Sequence, residues 1–399
     1  INCKHSSNEG KIYFTYLPED IGNSGTFSTS AFEYDIRFST ETLTEGNWDE
    51  AWKVITPPIP GIPGSQESFT VTGLPPNTTY YFAIKIKDEE DSWSGISNIA
   101  TVIIGTDTLA PTIIPQAIPF APAGVPMTIG AKITDNVKVE QAILYWRVGG
   151  TKTIGSVLML NMGIDFYQGT ISAAEVTMRG LQYYIFATDG KNGTSSPTWT
   201  TLTYGTVTSG KLGAVKPKWK SISVPIHPHN PDPANVLWNW GKFEKNVSLK
   251  YFDGTNWIIH NPPASRVPDF APELGYMISA DKNKEIIVCG TSTNPVGYHV
   301  IKLTGGSPAE RQNYIGQPYL YSVGWDENIK FKRGDKILNP VQAQKKGWIK
   351  KSLSYYAGSG YKKVPYPGVM YPWVGYVLPV LLDCEMLIPA EEVGSGKWG

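Results

Sequence analysis

The chain of 399 residues balances 35 basic against 35 acidic side chains and is only 18% charged, below the ~25% of an ordinary soluble protein, which excludes a basic nucleic-acid footprint. No apolar run approaches the ~20 residues that cross a bilayer, so no membrane span is expected. Three cysteines make no disulfide framework and lack zinc-ligand spacing.

Abundant Gly (40), Pro (31), Tyr (22) and Trp (13) point to strands and turns, and the length suggests two to three domains. Ile1 is neither a start methionine nor the head of a signal peptide. The expectation is a processed or excerpted chain, extracellular or at a cell surface, whose export signal has been removed or lies outside it.

The first unit, residues 1–105, runs in substance from Lys11 to Ile104. After a Pro-rich turn, Tyr80, Phe82, Ile84 and Ile86 alternate with Tyr81, Ala83, Lys85 and Lys87, the period-2 pattern of a half-buried strand. Upstream, Tyr34, Ile36 and Phe38 share one face of a second strand. On Leu74, Pro76, Thr78 and Tyr80 the unit resembles a fibronectin type III domain, in which the tyrosine ties down a sandwich corner; the resemblance implies architecture, not catalysis. It departs from that family in placing Tyr16 where a tryptophan usually stands. Only about ten residues precede that strand, so the first strand is expected to be short or missing, leaving a sheet edge for another strand.

The second unit, residues 106–205, opens at Thr108-Leu109-Ala110-Pro111. Three alternating strands are legible: Met127, Ile129, Ala131 and Ile133; Leu144, Trp146 and Val148; Leu181, Tyr183, Ile185 and Ala187. The stretches TDNVKVEQAILYWRVGG, FYQGTISAAEV and GLQYYIFATDG resemble bacterial immunoglobulin-like modules. Gly205 to Gly213 reads as a Gly, Ser and Thr-rich connector.

The third unit, residues 206–399, contains an internal repeat. WKSISVPI at Trp219 matches QNYIGQPY at Gln312, and LKYFDGTNW at Leu249 matches LSYYAGSGY at Leu353. FAPELGYMI at Phe270 matches MYPWVGYVL at Met370, and EIIVCG at Glu285 matches EMLIPA at Glu385. Four matches in one order predict two pseudo-equivalent β halves, about 218–290 and 312–390. The unit resembles a C-terminal β module of large bacterial surface proteins, a family that implies no defined chemistry. The fold class expected is all-β: tandem sandwiches followed by a duplicated β-rich domain.

No nucleophile elbow, H-E-x-x-H pair or P-loop is legible, so catalytic residues are expected to be none and the chain is expected not to be an enzyme. His227 and His229 make two imidazoles in a Pro-rich segment, favoured as a solvated loop over a metal site. Asp88 to Asp91, and Glu19, Asp20 and Asn23, offer oxygens to Ca²⁺ without an EF-hand pattern; solvated loops are favoured, and no other cofactor is implied.

The tryptophans of the third unit, including Trp219, Trp257, Trp325 and Trp373, suit either a core or a sugar-stacking surface, with the core favoured. Trp238 and Trp240 would share a face if extended and are the first candidates for a ligand or partner surface, a polysaccharide included. Cys289 and Cys384 lie on corresponding strands; if those pair antiparallel a disulfide fits, and two buried free thiols are the alternative. Cys3 is left over, for an intermolecular contact or as an inert thiol. Asn77, Asn192 and Asn246 begin N-x-S/T triplets, expected to be plain loops.

The expected function is a non-enzymatic structural or adhesive surface protein, self-associating or bound to other surface proteins. It would form a filament or layer by β-strand addition with residues 1–10 as donor. The alternative is an accessory carbohydrate-binding portion of a secreted hydrolase.

Overall fold

The computed structural model describes residues 2–5, 11–15, 32–61, 66–71, 74–75, 77–88, 91–104, 108–212, 218–306 and 309–393, with the backbone alone at 2–5, 11–15 and 66. The protein is all-β, as its alternating patterns predict. It divides into one unit of residues 1–114, 132–142 and 187–194, and another of residues 115–131, 143–186 and 195–399.

The first unit is built on seven strands: β1 (Asn2–His5), β2 (Lys11–Thr15), β3 (Glu33–Ser39), β4 (Trp52–Lys53), β5 (Gln66–Thr70), β6 (Thr78–Lys87) and β7 (Ala100–Ile104). They form a three-stranded sheet, β1-β2-β5, and a four-stranded sheet, β4-β3-β6-β7. The period-2 faces pack as expected: Tyr34, Ile36 and Ile84 make one buried cluster, and Tyr80, Phe82 and Val102 another, on which Leu74 rests. On the opposite face, Trp48 is buried beneath the Arg37 and Lys85 cations and donates its indole N–H to Asp35 at 3.3 Å. The first strand is short but present. All of β1 is in register with β2, from Asn2↔Thr15 to His5↔Ile12. The expectation of residues 1–10 as a donor to another subunit is therefore corrected for Asn2–His5, which pair within their own sheet.

In chain order, the second sandwich supplies β8 (Thr112–Pro115), β9 (Phe120–Pro122), β10 (Met127–Thr134), β11 (Gln141–Val148), β12 (Gly155–Leu158), β13 (Leu160–Asn161), β14 (Phe166–Ile171), β15 (Leu181–Thr188), β16 (Gly193–Ser195) and β17 (Trp199–Thr208). Within the second unit, β13-β14-β10 lie in one sheet and β12-β11-β15-β17 in another. Met127, Ile129, Ala131, Leu144, Leu181, Tyr183 and Ile185 are buried, which is the alternation read from the sequence; Trp146 is half-buried.

Of the segment expected as a connector, Gly205 to Gly213, the first four residues lie in a strand. β17 pairs with β15 at its start, Tyr183↔Trp199 to Leu181↔Thr201, and then continues into a second ladder, Tyr204↔Thr291 to Thr208↔Ile287, with the duplicated domain. Gly205 to Thr208 thus belong to a ten-residue strand, and one sheet path runs β12-β11-β15-β17-β23-β19. The polar Thr203 and Ser292 are buried at the crossing and satisfy one another, with the Thr203 N–H on Ser292 Oγ at 3.0 Å and the Ser292 N–H on Thr203 O at 2.7 Å.

The duplicated domain contains β18 (Lys220–Ile222), β19 (His227–Pro228), α1 (Pro233–Val236), β20 (Val247–Phe252), β21 (Trp257–Ile259), β22 (Tyr276–Ala280), β23 (Ile287–Thr291), β24 (Tyr298–Leu303), β25 (Arg311–Ile315), β26 (Val323–Trp325), β27 (Lys330–Arg333), β28 (Lys336–Leu338), α2 (Pro340–Lys345), β29 (Ser354–Tyr356), β30 (Tyr361–Lys363), β31 (Gly368–Met370), β32 (Tyr376–Val380) and β33 (Cys384–Pro389). The repeat is visible as topology. One half has a sheet ordered β18-β22-β20-β21; the other has β25-β32-β29-β30, the same order in corresponding strands.

The halves lock reciprocally. Ser223 N–H donates to Trp373 O at 3.0 Å, and its counterpart Gly316 N–H donates to Glu273 O at 2.9 Å. Beside each bond sits a glycine whose missing side chain permits the approach. A Cβ on Gly375 would stand 2.5 Å from Ile222 O, and one on Gly275 2.8 Å from Ile315 O. β18 also lies against β29, where the Tyr356 N–H donates to Ser221 Oγ at 3.0 Å, and β25 lies beside β20, with Phe252 and Tyr314 in ring contact. Between the sheets Met277, Tyr314 and Val377 are buried together, while Tyr276 and Ile278, and Tyr376 and Leu378, point outward into two larger cores.

Gly275→Ala and Gly375→Ala should each lower stability by about 1–3 kcal/mol in denaturant unfolding, the range for overpacking against unyielding backbone. Gly210→Ala, whose new methyl meets nothing within 4 Å, is the neutral control.

Candidate functional site

The structure separates the expected cysteine pair. Cys289 on β23 and Cys384 on β33 are both free thiols, the first exposed and the second buried. The expected disulfide assumed that the two corresponding strands pair. Instead β23 lies between β17 and β19, and β33 between β24 and β27, so the pairing partners of the two halves differ. The side chain of Cys3 falls outside the described residues; its backbone is opposite Phe14. The segment around His227 is also no solvated loop, because His227 and Pro228 pair with Thr291 and Gly290 on β23. That places the His229 ring beside Cys289 Sγ, 3.6 Å from Nδ1, and Thr291 Oγ1, 3.1 Å from Nε2.

Among the described residues no group of three His, Cys, Asp or Glu side chains could hold a metal. Glu19, Asp20 and Asn23, and Glu89 and Glu90 of the acidic turn, lie outside the described residues.

Trp238 and Trp240 do not share a face. They occupy a 3-10 helix that follows α1, where Asp232 accepts the Ala234 N–H and Pro233 starts the helical turn. Trp240 is buried and donates its indole N–H to Glu285 O at 3.1 Å, whereas Trp238 is 65% exposed. Of Trp257, Trp325 and Trp373, expected in the core, the last two are buried and Trp257 is exposed; Trp219 is half-buried.

Three histidines carry unusual environments. His260 is buried against Phe243, and its Nδ1 has no hydrogen-bond partner. His299 lies on β24 with a buried, unbonded Nε2 3.9 Å from Glu273 Oε2. Desolvation holds both imidazoles below their ordinary pKa, with the Glu273 carboxylate opposing it at His299 and Asp232 at His260. His227, desolvated and facing the same Glu273, shifts in the same direction.

The surface feature that sequence reasoning missed is the edge of the second sandwich. β12 and β13 are one chain passage that changes sheets at the buried Met159 and forms the outer strand of each. Leu158 and Leu160 are exposed along it, Met162 and Ile164 in the turn that follows, and the stretch from Ile154 to Ile164 has no charged residue. Ile164 is 95% exposed and sits at φ 46°, a left-handed conformation that costs a β-branched residue energy. The signal was the uncharged apolar run Val157-Leu158-Met159-Leu160, which a core-seeking reading takes as a buried strand.

No family model and no curated protein matches the chain. Among solved structures it is similar to an α-L-rhamnosidase from Dictyoglumus thermophilum, with a TM-score of 0.18 and 11% identity over 96% of this chain and 47% of that one. It is similar also to the Streptomyces avermitilis α-L-rhamnosidase complexed with L-rhamnose, with a TM-score of 0.14 and 8% identity over 90% and 54% of the respective chains. The chain spans about half the length of these structures. Superpositions at these values transfer neither fold nor activity.

In a Cys3→Ser background, a maleimide at neutral pH should label Cys289 in the native protein and Cys384 only after denaturation, since burial pushes the Cys384 thiol up to about 12. A non-reducing mass measurement showing loss of two hydrogens would contradict the free pair. Acid should also destabilise the fold. With folded-state pKa values depressed, the unfolded chain takes up protons first, so stability present above the ordinary His value of 6.5 is lost as pH falls below it. Melting temperatures between pH 8 and 5 should show this decline, and His299→Gln combined with His260→Gln should flatten it.

Proposed function

We propose that the chain is a non-enzymatic structural and adhesive component of an extracellular surface, and that copies of it associate through the β12–β13 edge. The observation that carries this reading is the uncharged, apolar outer passage with Leu158 and Leu160 exposed on its strands and Met162 and Ile164 exposed in the turn that follows. Natural sheets protect edges with lysine, proline or a covering element, and an unprotected apolar edge is a template for strand addition. A second copy is the occupant, because the edges of two such sandwiches supply matching backbone groups and apolar side chains to each other.

The crossing strand β17 supports the structural half of the reading. A load on the second sandwich passes into the duplicated domain through a five-residue antiparallel ladder, Tyr204↔Thr291 to Thr208↔Ile287. Fibronectin-like and immunoglobulin-like modules followed by a duplicated β domain suit a spacer that presents a terminal surface away from a cell.

Sedimentation of the full chain over a hundredfold range of concentration tests the proposal, with electron microscopy of the heaviest species. The wild type should associate reversibly into extended particles, and Leu160→Lys should remain monomeric with an unchanged melting temperature. Monomers throughout the range for the wild type, or equal association of the variant, would remove this edge as the contact.

A further inference from the structure

Lys250 is a half-buried lysine whose ammonium stands over two indole rings and not in an ion pair. Lys250 projects from β20 on the face away from the Leu249 and Tyr251 core, and its Nζ stands 4.3 Å from the ring centre of Trp219 and 4.2 Å from that of Trp257. Among the described residues it meets no carboxylate within ion-pair distance. The two rings lower the energy of the cation through their negative faces but accept none of its three N–H bonds in the usual sense. Desolvation shifts Lys250 below the ordinary lysine pKa, as expected for an ammonium that lacks an anion.

The wall around this charge continues across the two halves. Trp257 contacts Phe252 at 5.2 Å and Tyr314 edge-on at 5.0 Å, and Tyr314 shares a hydroxyl hydrogen bond with Tyr361, whose ring stands edge-on to Tyr356 at 5.1 Å. Trp257 is 37% exposed and Tyr361 53%, so part of the wall faces solvent. A second cation, Arg311, is folded onto the same β20–β21 hairpin, where its Nη2 donates to Asp253 O at 2.6 Å. The Asp253 carboxylate accepts the N–H groups of Thr255 and Asn256 at 2.7 Å, bonds that with the charge of Arg311 hold it below the ordinary carboxylate range, so Arg311 is the cation it offsets.

We propose that Lys250, held over Trp219 and Trp257, forms with Tyr361 a binding site for an acidic polysaccharide, the ammonium taking a sugar carboxylate while the solvent-facing parts of Trp257 and Tyr361 take the C–H face of the same sugar. A uronic acid carries both features on one ring. A neutral sugar would leave the ammonium unpaired, and an acidic peptide would bring a carboxylate without the flat C–H face that the exposed indole and phenol suit. The site differs in place from Trp238 and is independent of self-association through the β12–β13 edge.

The test is affinity electrophoresis and titration calorimetry of the full chain against four polymers: polygalacturonate, dextran sulfate, neutral dextran and polyglutamate. Polygalacturonate should bind with an affinity that falls as salt rises, and neutral dextran should not bind. Lys250→Met, which keeps the aliphatic stem, should weaken binding by about tenfold or more, the loss of one charge-assisted contact. Trp257→Phe should weaken it less, while Trp238→Ala and Leu160→Lys should leave it within about twofold. Unchanged polygalacturonate binding by Lys250→Met with a native melting curve would overturn the proposal. So would no binding of polygalacturonate by the wild type, preference for dextran sulfate, which would assign the site to sulfate, or equal affinity for polyglutamate, which would assign it to acidic peptide.

Discussion

The duplicated domain depends on backbone of one half reaching backbone of the other. The Ser223–Trp373 and Gly316–Glu273 hydrogen bonds are the same bond made twice, and each needs a residue without a side chain beside it, Gly375 in one case and Gly275 in the other. Neither half can satisfy these groups alone. A buried N–H without an acceptor costs about 1–3 kcal/mol, so the reciprocal pair sets the two sheets at one spacing and one angle. The aromatic wall follows from that setting, because Trp219, Lys250 and Trp257 come from the first half and Tyr314, Tyr356 and Tyr361 from the second.

Duplication also explains where the two halves diverge. Their inner sheets keep a common strand order, but their last strands find different company: β23 joins β17 and β19, whereas β33 joins β24 and β27. The inner sheets face each other and must remain complementary. The outer strands face different neighbours, and one of them was free to accept a strand from the preceding sandwich. The thiols illustrate the result. Cys289, beside β17 and His229, is exposed; Cys384, in the equivalent last strand, is packed into the second core.

Much of this fold was legible as pattern. Alternation located the faces of β3, β6, β10 and β15, and the four matched fragments fall on β18 and β25, on the β20–β21 and β29–β30 hairpins, on β22 and β32, and on β23 and β33. What escaped was decided by tertiary context. Gly205 and its Ser and Thr neighbours look like punctuation, yet threonine and valine suit a strand once a partner ladder exists. Trp238 and Trp240 share a face only in an extended segment, and the Asp232-Pro233 helix-start signal just before them points the other way. The Lys250 site was illegible for another reason. Trp257 and Trp219 are aromatic residues of a repeat, and only the three-dimensional placement of a lysine between them distinguishes a cage from a core.

Charge placement on the strand edges ties the two surfaces together. β24, β28 and β30 are outer strands carrying lysines, Lys302, Lys336, Lys362 and Lys363 among them, which discourage another strand from pairing there. β12, β13 and β21 are outer strands with none. Along β12 and β13 the consequence is an apolar edge with no repulsive element, the arrangement that admits a second copy. At β21 the edge is bordered by the caged Lys250, whose unpaired charge opposes burial in a dry strand–strand contact but favours a hydrated, anionic chain. The two edges thus share an absence of edge lysines and differ in the half-buried cation beside one of them.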